Sequence, residues 1–273
     1  NLGVLYFKGS PELPADKEKA AELFEKTTVL NPNNSKALYN LAIMHMKGEG
    51  VEKDEVKARE YFEKAAQLNN KDALLNLGLM YYEGTAGVRK DKTMAFDCYK
   101  RSADLGNDKA QLNLALMCQK GEGCDIDKEM AKKYFQLAAD QGNTQAQINL
   151  GLLLLGGDED DQDKAKQYLN EAAKEGNVDA MVGLAKRYQL DDETESAIKW
   201  YTRAANHQNA QAQMELGTIY MNGDGTDVDL EKAEEFLNKS LENKSDEALL
   251  HLGELYEKKG DTQKANEFYH RAL

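Results

Sequence analysis

The stretch NLGLMYYEG, from Asn76 to Gly84, is nearly repeated four more times along the chain. The other copies are NLGVLYFKG, NLAIMHMKG, NLALMCQKG and NLGLLLLGG, which begin at Asn1, Asn40, Asn113 and Asn149. The third residue of each copy is small. This small residue recurs at intervals of 32 to 39 residues, at Gly3, Ala42, Gly78, Ala115, Gly151, Ala185, Gly217 and Gly253. A period of this length indicates a repeat architecture.

Each unit has the pattern of two helices. In the second unit, Ala37, Leu41 and Ala42 lie at the three- and four-residue intervals of one helix face. The sequence KGEG, 47–50, then ends the first helix, because glycine accepts the left-handed backbone of a helix end. Asp54 is predicted to cap the second helix, which ends at the sequence QLNN.

A second small residue lies in the second helix of each unit, and a pair of large residues such as Tyr61-Phe62 follows it. Small side chains let two helices approach to the short end of the 8–10 Å range. We expect the aromatic pair to cover the next unit, because one helix pair cannot bury both of its apolar sides. The sequence therefore predicts a single elongated body over 1–273. Its units are 1–34, 35–70, 71–107, 108–143, 144–177, 178–209, 210–245 and 246–273.

Composition limits the classes of partner. The chain of 273 residues has 48 acidic and 35 basic residues, a formal charge of −13 and a mean hydropathy of −0.72. This charge disfavours nucleic acid and anionic lipid at long range, and no apolar run reaches the roughly 20 residues of a membrane span. We therefore expect protein partners and no membrane insertion. Cys98, Cys118 and Cys124 form no CxxC pair and are predicted to be packing or loop residues.

The repeat resembles the Sel-1-like repeat, a relative of the tetratricopeptide repeat. The resemblance covers essentially the whole chain and rests in the second unit on Ala37, Leu41-Ala42, His45, Gly48, Gly50-Val51, Asp54, Lys57-Ala58, Tyr61-Phe62 and Lys64-Ala65-Ala66. Two departures stand out. The sequences NPNN, 31–34, and KKGDTQKA, 258–265, are closer to tetratricopeptide repeats, and the sixth unit has QLDDETES, 189–196, in place of the Gly-x-Gly loop.

The resemblance implies an all-α, right-handed superhelical solenoid of about eight helix pairs, with the first helix of each pair on the concave surface. In tetratricopeptide solenoids this position often presents an asparagine to the main chain of a bound peptide. The asparagine row, Asn40, Asn76, Asn113 and Asn149, would then bind a peptide. A spacing of about 10 Å between units matches about three residues of extended chain.

The alternative for the asparagine row is that each amide bonds the adjoining helix or faces water. The row ends after Asn149, so a peptide groove would be N-terminal. Most apolar residues beside the row are expected to pack between units, whereas Met46 and Tyr82 are candidate peptide contacts near the helix end. Lys120, with other lysines at the groove edge, would favour an acidic partner. These further lysines are Lys36, Lys47 and Lys109.

No residue pattern indicates catalysis, a metal or a cofactor. The acidic loops 158–163 and 191–195 lack the ligand order of a calcium loop, and the Gly-x-Gly loops lack the Lys-Ser/Thr of a phosphate loop. His45 replaces the tyrosine of its copy and is predicted to lie in the core. We therefore predict a non-catalytic adaptor that binds a protein segment along its first helices.

Two other functions stay open at this stage. One is a structural element of a cell envelope or large complex, because units that stop at Asn1 and Leu273 would leave apolar ends exposed. The other is a regulatory subunit that activates a separate enzyme. Since the chain begins inside a repeat and without methionine, we expect the native N-terminus to lie upstream.

Overall fold

The structure, a computed structural model, describes residues 2–10 and 13–272. These residues form sixteen helices and, apart from one isolated bridge between Ser10 and Leu13, no β-structure. The helices are α1 Leu2–Lys8, α2 Lys17–Leu30, α3 Ser35–Lys47, α4 Glu55–Gln67, α5 Lys71–Glu83, α6 Lys92–Asp104, α7 Asp108–Lys120, α8 Lys128–Asp140, α9 Thr144–Leu154, α10 Glu159–Lys174, α11 Val178–Leu190, α12 Thr194–Asn206, α13 Ala210–Asn222, α14 Leu230–Glu242, α15 Ala248–Lys258 and α16 Thr262–Ala272.

The odd-numbered helices are the first helices of the repeats, here called helix A, and the even-numbered ones are helix B. Each predicted unit contains one helix A and one helix B, as expected from the small-residue period. The predicted helix boundaries in the second unit are confirmed. Asp54 caps α4 by accepting the amide of Lys57 at 2.9 Å, and Gly48 ends α3 in the left-handed conformation.

The small residue of helix A lies against a large side chain of helix B. A β-carbon at Gly78 would be 2.5 Å from Cε1 of Tyr99, so only glycine allows this approach of α5 and α6. Tyr99, the second residue of the pair Cys98-Tyr99, therefore packs over its own unit, and its hydroxyl group also reaches Asn113 of the next unit. The prediction of close helix approach is confirmed, and this pair has a role within its own unit as well.

The second glycine of the Gly-x-Gly loop packs between units, which we did not predict from the sequence. A β-carbon at Gly123 would lie 2.5 Å from the carbonyl carbon of Lys92, at the start of α6 in the preceding unit. Gly50 similarly approaches the start of α2, where its β-carbon would be 2.7 Å from the amide nitrogen of Glu18. The first glycine ends helix A, whereas the second lets the loop contact the preceding helix B.

The sixth unit has a different helix A terminus, as its sequence indicates. Its α11 ends at Leu190, and Asp192 takes the left-handed conformation with φ of 59°. The carboxylate of Asp191 forms ion pairs with Arg187 and Lys166, and Nζ of Lys166 lies 2.6 Å from Oδ2 of Asp191. A short charged turn therefore replaces the glycine loop in this unit.

The chain forms two compact units, Asn1–Ala146 and Gln147–Leu273, which are described separately below. The first has buried clusters around Phe24 and Phe62, and the second around Tyr201 and Leu237. His45 is buried, as predicted, and stacks on Tyr61 with ring centroids 5.7 Å apart. The single body predicted over 1–273 stays a prediction.

Candidate peptide-binding site

The asparagine row lies on helix A and each member is partly buried. Asn40, Asn76 and Asn113 are on α3, α5 and α7 of the first compact unit, and Asn149 is on α9 in the second. The site described here is therefore limited to α3, α5 and α7. We call the surface formed by residues of the same register on these helices the helix-A face. Its members are Lys36, Tyr39, Asn40, Ile43, Met46 and Lys47 on α3, Asp72, Asn76, Leu79, Tyr82 and Glu83 on α5, and Lys109, Asn113, Leu116 and Lys120 on α7.

The amides of the asparagine row also interact with the repeat scaffold. Nδ2 of Asn76 donates to the carbonyl oxygen of Asp72, one turn earlier, at 2.8 Å. The Asn76 side chain also interacts with the hydroxyl group of Tyr39 in the preceding unit. The Asn113 side chain interacts in the same way with the hydroxyl group of Tyr99. Asn149 likewise has an interaction partner. Because an amide carries two N–H groups and a two-lone-pair oxygen, one such bond leaves it further capacity.

A cavity of about 180 Å³ opens between α5 and α7. Three of the predicted site residues line it, namely Tyr82, Asn113 and Lys120. The other lining residues are Leu79, Glu83, Tyr99, Leu116, Met117 and Glu122. The structure thus brings an amide, an aromatic ring, a lysine and apolar side chains to one opening. Met46 lies apart from this cavity, half-buried against the core cluster around Phe62.

Glu122 fixes the position of Tyr82, a role that no sequence pattern indicates. The Tyr82 hydroxyl donates to Oε2 of Glu122 at 2.7 Å, and Nζ of Lys92 lies 3.0 Å from Oε1. Hydrogen bonds from Tyr82 and Lys92 lower the pKa of Glu122, and the bond to Glu122 raises the pKa of Tyr82. Nζ of Lys92 also lies 5.5 Å from the Tyr82 ring centroid. The ring is therefore held at the cavity by groups from two units.

One apolar residue per helix A follows the asparagine row along this surface, at Ile43, Leu79 and Leu116. Leu79 is 42% exposed, and the other two are half-buried. We expected most of these residues to pack between units, and half-burial agrees with that for Ile43 and Leu116. Leu79 keeps a large apolar area at the surface, next to the cavity.

A second set of asparagines joins neighbouring units. Asn70, Asn107 and Asn143 precede successive helices A and cap them. Nδ2 of Asn107 donates to Oδ1 of Asp72 at 2.9 Å, and Nδ2 of Asn143 to Oδ2 of Asp108 at 2.9 Å. Asn70 donates to the Ser35 carbonyl oxygen at 3.3 Å. The asparagine before each helix was a signal in the sequence for capping, but its bond to the preceding unit was not predictable from one repeat.

The described residues contain no group of three or more His, Cys, Asp or Glu side chains placed to hold a metal ion. Searched over the same part of the chain, no helix has the length and apolar character needed to cross a membrane. The cysteines are free, with Cys98 and Cys118 buried and Cys124 partly buried. This agrees with the predicted packing and loop roles of the three cysteines.

Comparison with known families assigns the repeats. The Sel1 repeat model matches seven segments, 1–27, 35–70, 71–107, 108–143, 144–177, 178–209 and 210–245. The chain belongs to the Sel1 repeat family. A tetratricopeptide repeat matches 247–273, which confirms the character predicted for the end of this Sel1 repeat chain. The matches confirm the α/α solenoid class, and their segments between 35 and 245 have the same residue numbers as the predicted units.

Three relatives illustrate the similarity. The chain is 38% identical over 86 residues to the ERAD-associated E3 ubiquitin-protein ligase component HRD3B of Arabidopsis thaliana, a match covering 31% of this chain and 13% of that protein. A Sel1 repeat protein from Oxalobacter formigenes has 26% identity and a TM-score of 0.62, covering 88% of this chain and 95% of that one. A protective antigen of uropathogenic Escherichia coli with an SLR fold has 24% identity and a TM-score of 0.68, covering 100% and 67%.

Sel1 and tetratricopeptide repeat proteins are typically scaffolds for protein–protein interaction and typically non-catalytic. The matched part of the Arabidopsis relative is short, since the chain spans about an eighth of its length. Family membership therefore supports a protein partner in general terms.

Proposed function

We propose that this Sel1 repeat chain is a non-catalytic adaptor that binds a segment of another protein along the helix-A face. The observation that carries the proposal is the cavity between α5 and α7, where Tyr82, Asn113 and Lys120 meet beside the exposed Leu79. A peptide site needs apolar area for affinity and a few polar groups that fix orientation. Both kinds of group are present at this opening.

The asparagine row would hold the main chain of the segment. Neighbouring helices A at about 10 Å correspond to about three residues of an extended chain, so α3, α5 and α7 would contact about six or seven residues. Beyond its bond to Asp72 and its interaction with Tyr39, the Asn76 amide retains bonding capacity, because it has two N–H groups and an oxygen with two lone pairs. Each amide bond to the segment is expected to contribute about 0.5–1.5 kcal/mol.

Apolar contacts would supply much of the remaining affinity. Leu79 offers exposed area beside the cavity, and apolar burial contributes about 25 cal/mol per Å². In the same register, the second compact unit has the apolar Leu152 on α9 and then the polar Lys186, Thr218 and Glu254, whereas α3, α5 and α7 of the first unit all have an apolar residue. The segment is therefore assigned to the helix-A face of the first unit.

The test uses random 12-residue peptides displayed on phage and selected on the chain. Affinities of the selected peptides are then measured by fluorescence anisotropy for the unmodified chain, Leu79→Glu and Met94→Glu. Met94, on α6, is 42% exposed like Leu79, so its substitution is a matched control outside the site. We expect Leu79→Glu to weaken binding at least about tenfold and Met94→Glu to leave it unchanged, since only Leu79 would be covered by peptide.

The role of the amides is tested with Asn76→Ala combined with Asn113→Ala. Loss of two main-chain bonds should weaken binding by about 1–3 kcal/mol, while circular dichroism checks that the helices are retained. Equal affinity of the folded double variant would remove the asparagine row from the site. Equal affinity of Leu79→Glu would refute the proposed site itself.

A further inference from the structure

Four lysines border the helix-A face, and all four are exposed. Lys36 and Lys109 lie in the first turns of α3 and α7, and Lys47 and Lys120 are the last residues of the same helices. Within the described part of the chain, none of the four is in an ion pair or stacks on an aromatic ring. They form two pairs of positive charges without an ion-pair partner among the described residues, one on each edge of the face, and Lys120 also interacts at longer range with Glu122.

Neighbouring lysines and carboxylates are committed to contacts within the scaffold. Lys92 and Glu122 pair with each other at 3.0 Å, and Lys17 pairs with Glu49 at 3.0 Å. The carboxylate of Asp72 accepts the amide of Asn107. These contacts leave the four lysines without an ion-pair partner in the part of the chain that the structure describes, whereas Asp72, whose partner is a neutral amide, keeps its negative charge.

Glu83, the last residue of α5, is exposed and opposes the charge of the lysines at one edge, as Asp72 in the first turn of α5 does at the other. The two edges together still carry more uncommitted positive than negative charge. This local excess stands in a chain with a formal charge of −13. The composition of an acidic chain does not predict a local excess of positive charge, so this excess is a property of the helix-A face itself.

The distance between the edges suits an extended segment. Lys36 and Lys47 are eleven residues apart on α3, which corresponds to about 16 Å along a helix. A segment lying midway would have either edge about 8 Å away. Long acidic side chains on the segment would meet the flexible lysines across this distance. An acidic residue beside an apolar one would thus place its carboxylate at an edge and the apolar side chain at the cavity.

We propose that the segment bound at the helix-A face is acidic, with Asp or Glu residues on either side of a leucine or an aromatic residue. This inference rests on the proposed function, because it specifies the chemistry of the segment at the same face. The apolar side chain enters the cavity of about 180 Å³ lined by Leu79, Tyr82 and Leu116. The flanking carboxylates pair with Lys120 and Lys47 at one edge, and with Lys36 and Lys109 at the other.

The phage-selected peptides test this chemistry without a prior choice of ligand. We expect them to have net negative charge and at least one leucine or aromatic residue. The variant Lys47→Glu with Lys120→Glu should weaken their binding at least about tenfold, because two attractive charge pairs become repulsive. The matched control is Lys26→Glu with Lys128→Glu, two exposed lysines of α2 and α8. It changes the net charge equally and should change the affinity less than twofold.

The outcomes separate the two proposals. If no peptide is selected, or if selected peptides bind Leu79→Glu as well as the unmodified chain, the proposed function fails. If the peptides require Leu79 but are neutral or basic, or tolerate Lys47→Glu with Lys120→Glu, the acidic segment is refuted and the proposed function stands. A single-stranded 12-nucleotide DNA is tested in parallel. Binding of this DNA that is lost in the same lysine variant would also overturn the inference, since the lysines would then serve phosphate groups.

Discussion

Replacing Gly123 by alanine should separate neighbouring repeats. Gly123 has φ of 73°, and its added β-carbon would be 2.5 Å from the Lys92 carbonyl carbon and 2.9 Å from the Thr93 amide nitrogen. The carbonyl oxygen of Lys92 would be closer still. All three are backbone atoms at the start of α6, so they cannot rotate away as the end of a side chain would.

The magnitude follows from two separate costs. An alanine in the left-handed conformation costs about 1–2 kcal/mol. Ordinary contacts between carbon atoms are about 3.5–4.0 Å, so the loop must also shift by about 1 Å. Overpacking of this kind typically costs about 1–3 kcal/mol. We therefore expect Gly123→Ala to destabilise the chain by about 2–5 kcal/mol.

Gly106→Ala isolates the first cost. Gly106 has φ of 79°, and its β-carbon would have no atom of the described residues within 4 Å. Urea unfolding is followed by circular dichroism, and amide hydrogen exchange locates the opening, because repeats can unfold in parts. We expect Gly106→Ala to cost about 1–2 kcal/mol and Gly123→Ala to increase exchange in α6 and α7 as well. Equal destabilisation by the two substitutions, within about 0.5 kcal/mol, would refute a packing role for the second glycine.

Two further predictions concern the interfaces and the core. Asn107→Ala should destabilise the chain by about 2–3 kcal/mol, because it removes a helix cap and the bond to Asp72. Asn209→Ala should cost about 1 kcal/mol, because Asn209 only caps its helix. Equal urea midpoints for the two variants would contradict this difference. Burial raises the pKa of Cys98 from 9.0 to about 11 and that of Cys118 to about 12. The folded chain therefore binds these protons more tightly than the unfolded chain, so stability should fall as pH rises above about 9. Replacing both cysteines by alanine should reduce the decrease of the urea midpoint between pH 9 and 10. An unchanged pH dependence of the midpoint would exclude the thiols as its cause.

Much of the fold was predictable because its determinants lie within one repeat. The helix cap at Asp54 and the helix end at Gly48 depend on residues three or four positions away, which recur in register. The small residue at Gly78 marks close helix approach within one pair. The repeat period also predicted the Sel1-type repeats that the family matches show.

Contacts between repeats were less predictable. Glu122 occurs between two loop glycines, and nothing in that position indicates that it accepts a bond from Tyr82, forty residues earlier. Asn76 posed the opposite difficulty. Its recurrence suggested a peptide contact, yet the same pattern allows the bond to Asp72 that the structure contains. A single sequence cannot distinguish these uses, because both require an amide at one position of helix A.

The positions of the inter-repeat contacts explain how the helix-A face can vary along one chain. The Asn107 bond lies at the N-terminal end of α7, and the Gly123 contact lies beyond its C-terminal end. Both contacts join neighbouring repeats at the ends of helix A, away from the positions of Leu79 and Leu116. In the seventh unit the same register has the polar Thr218, yet Asn209 caps α13 and Gly225 contacts Thr194 at the start of α12. Selection on a partner can therefore change the middle of helix A while the ends keep the repeats joined, and the proposed peptide contact would use the exposed Leu79 of this register.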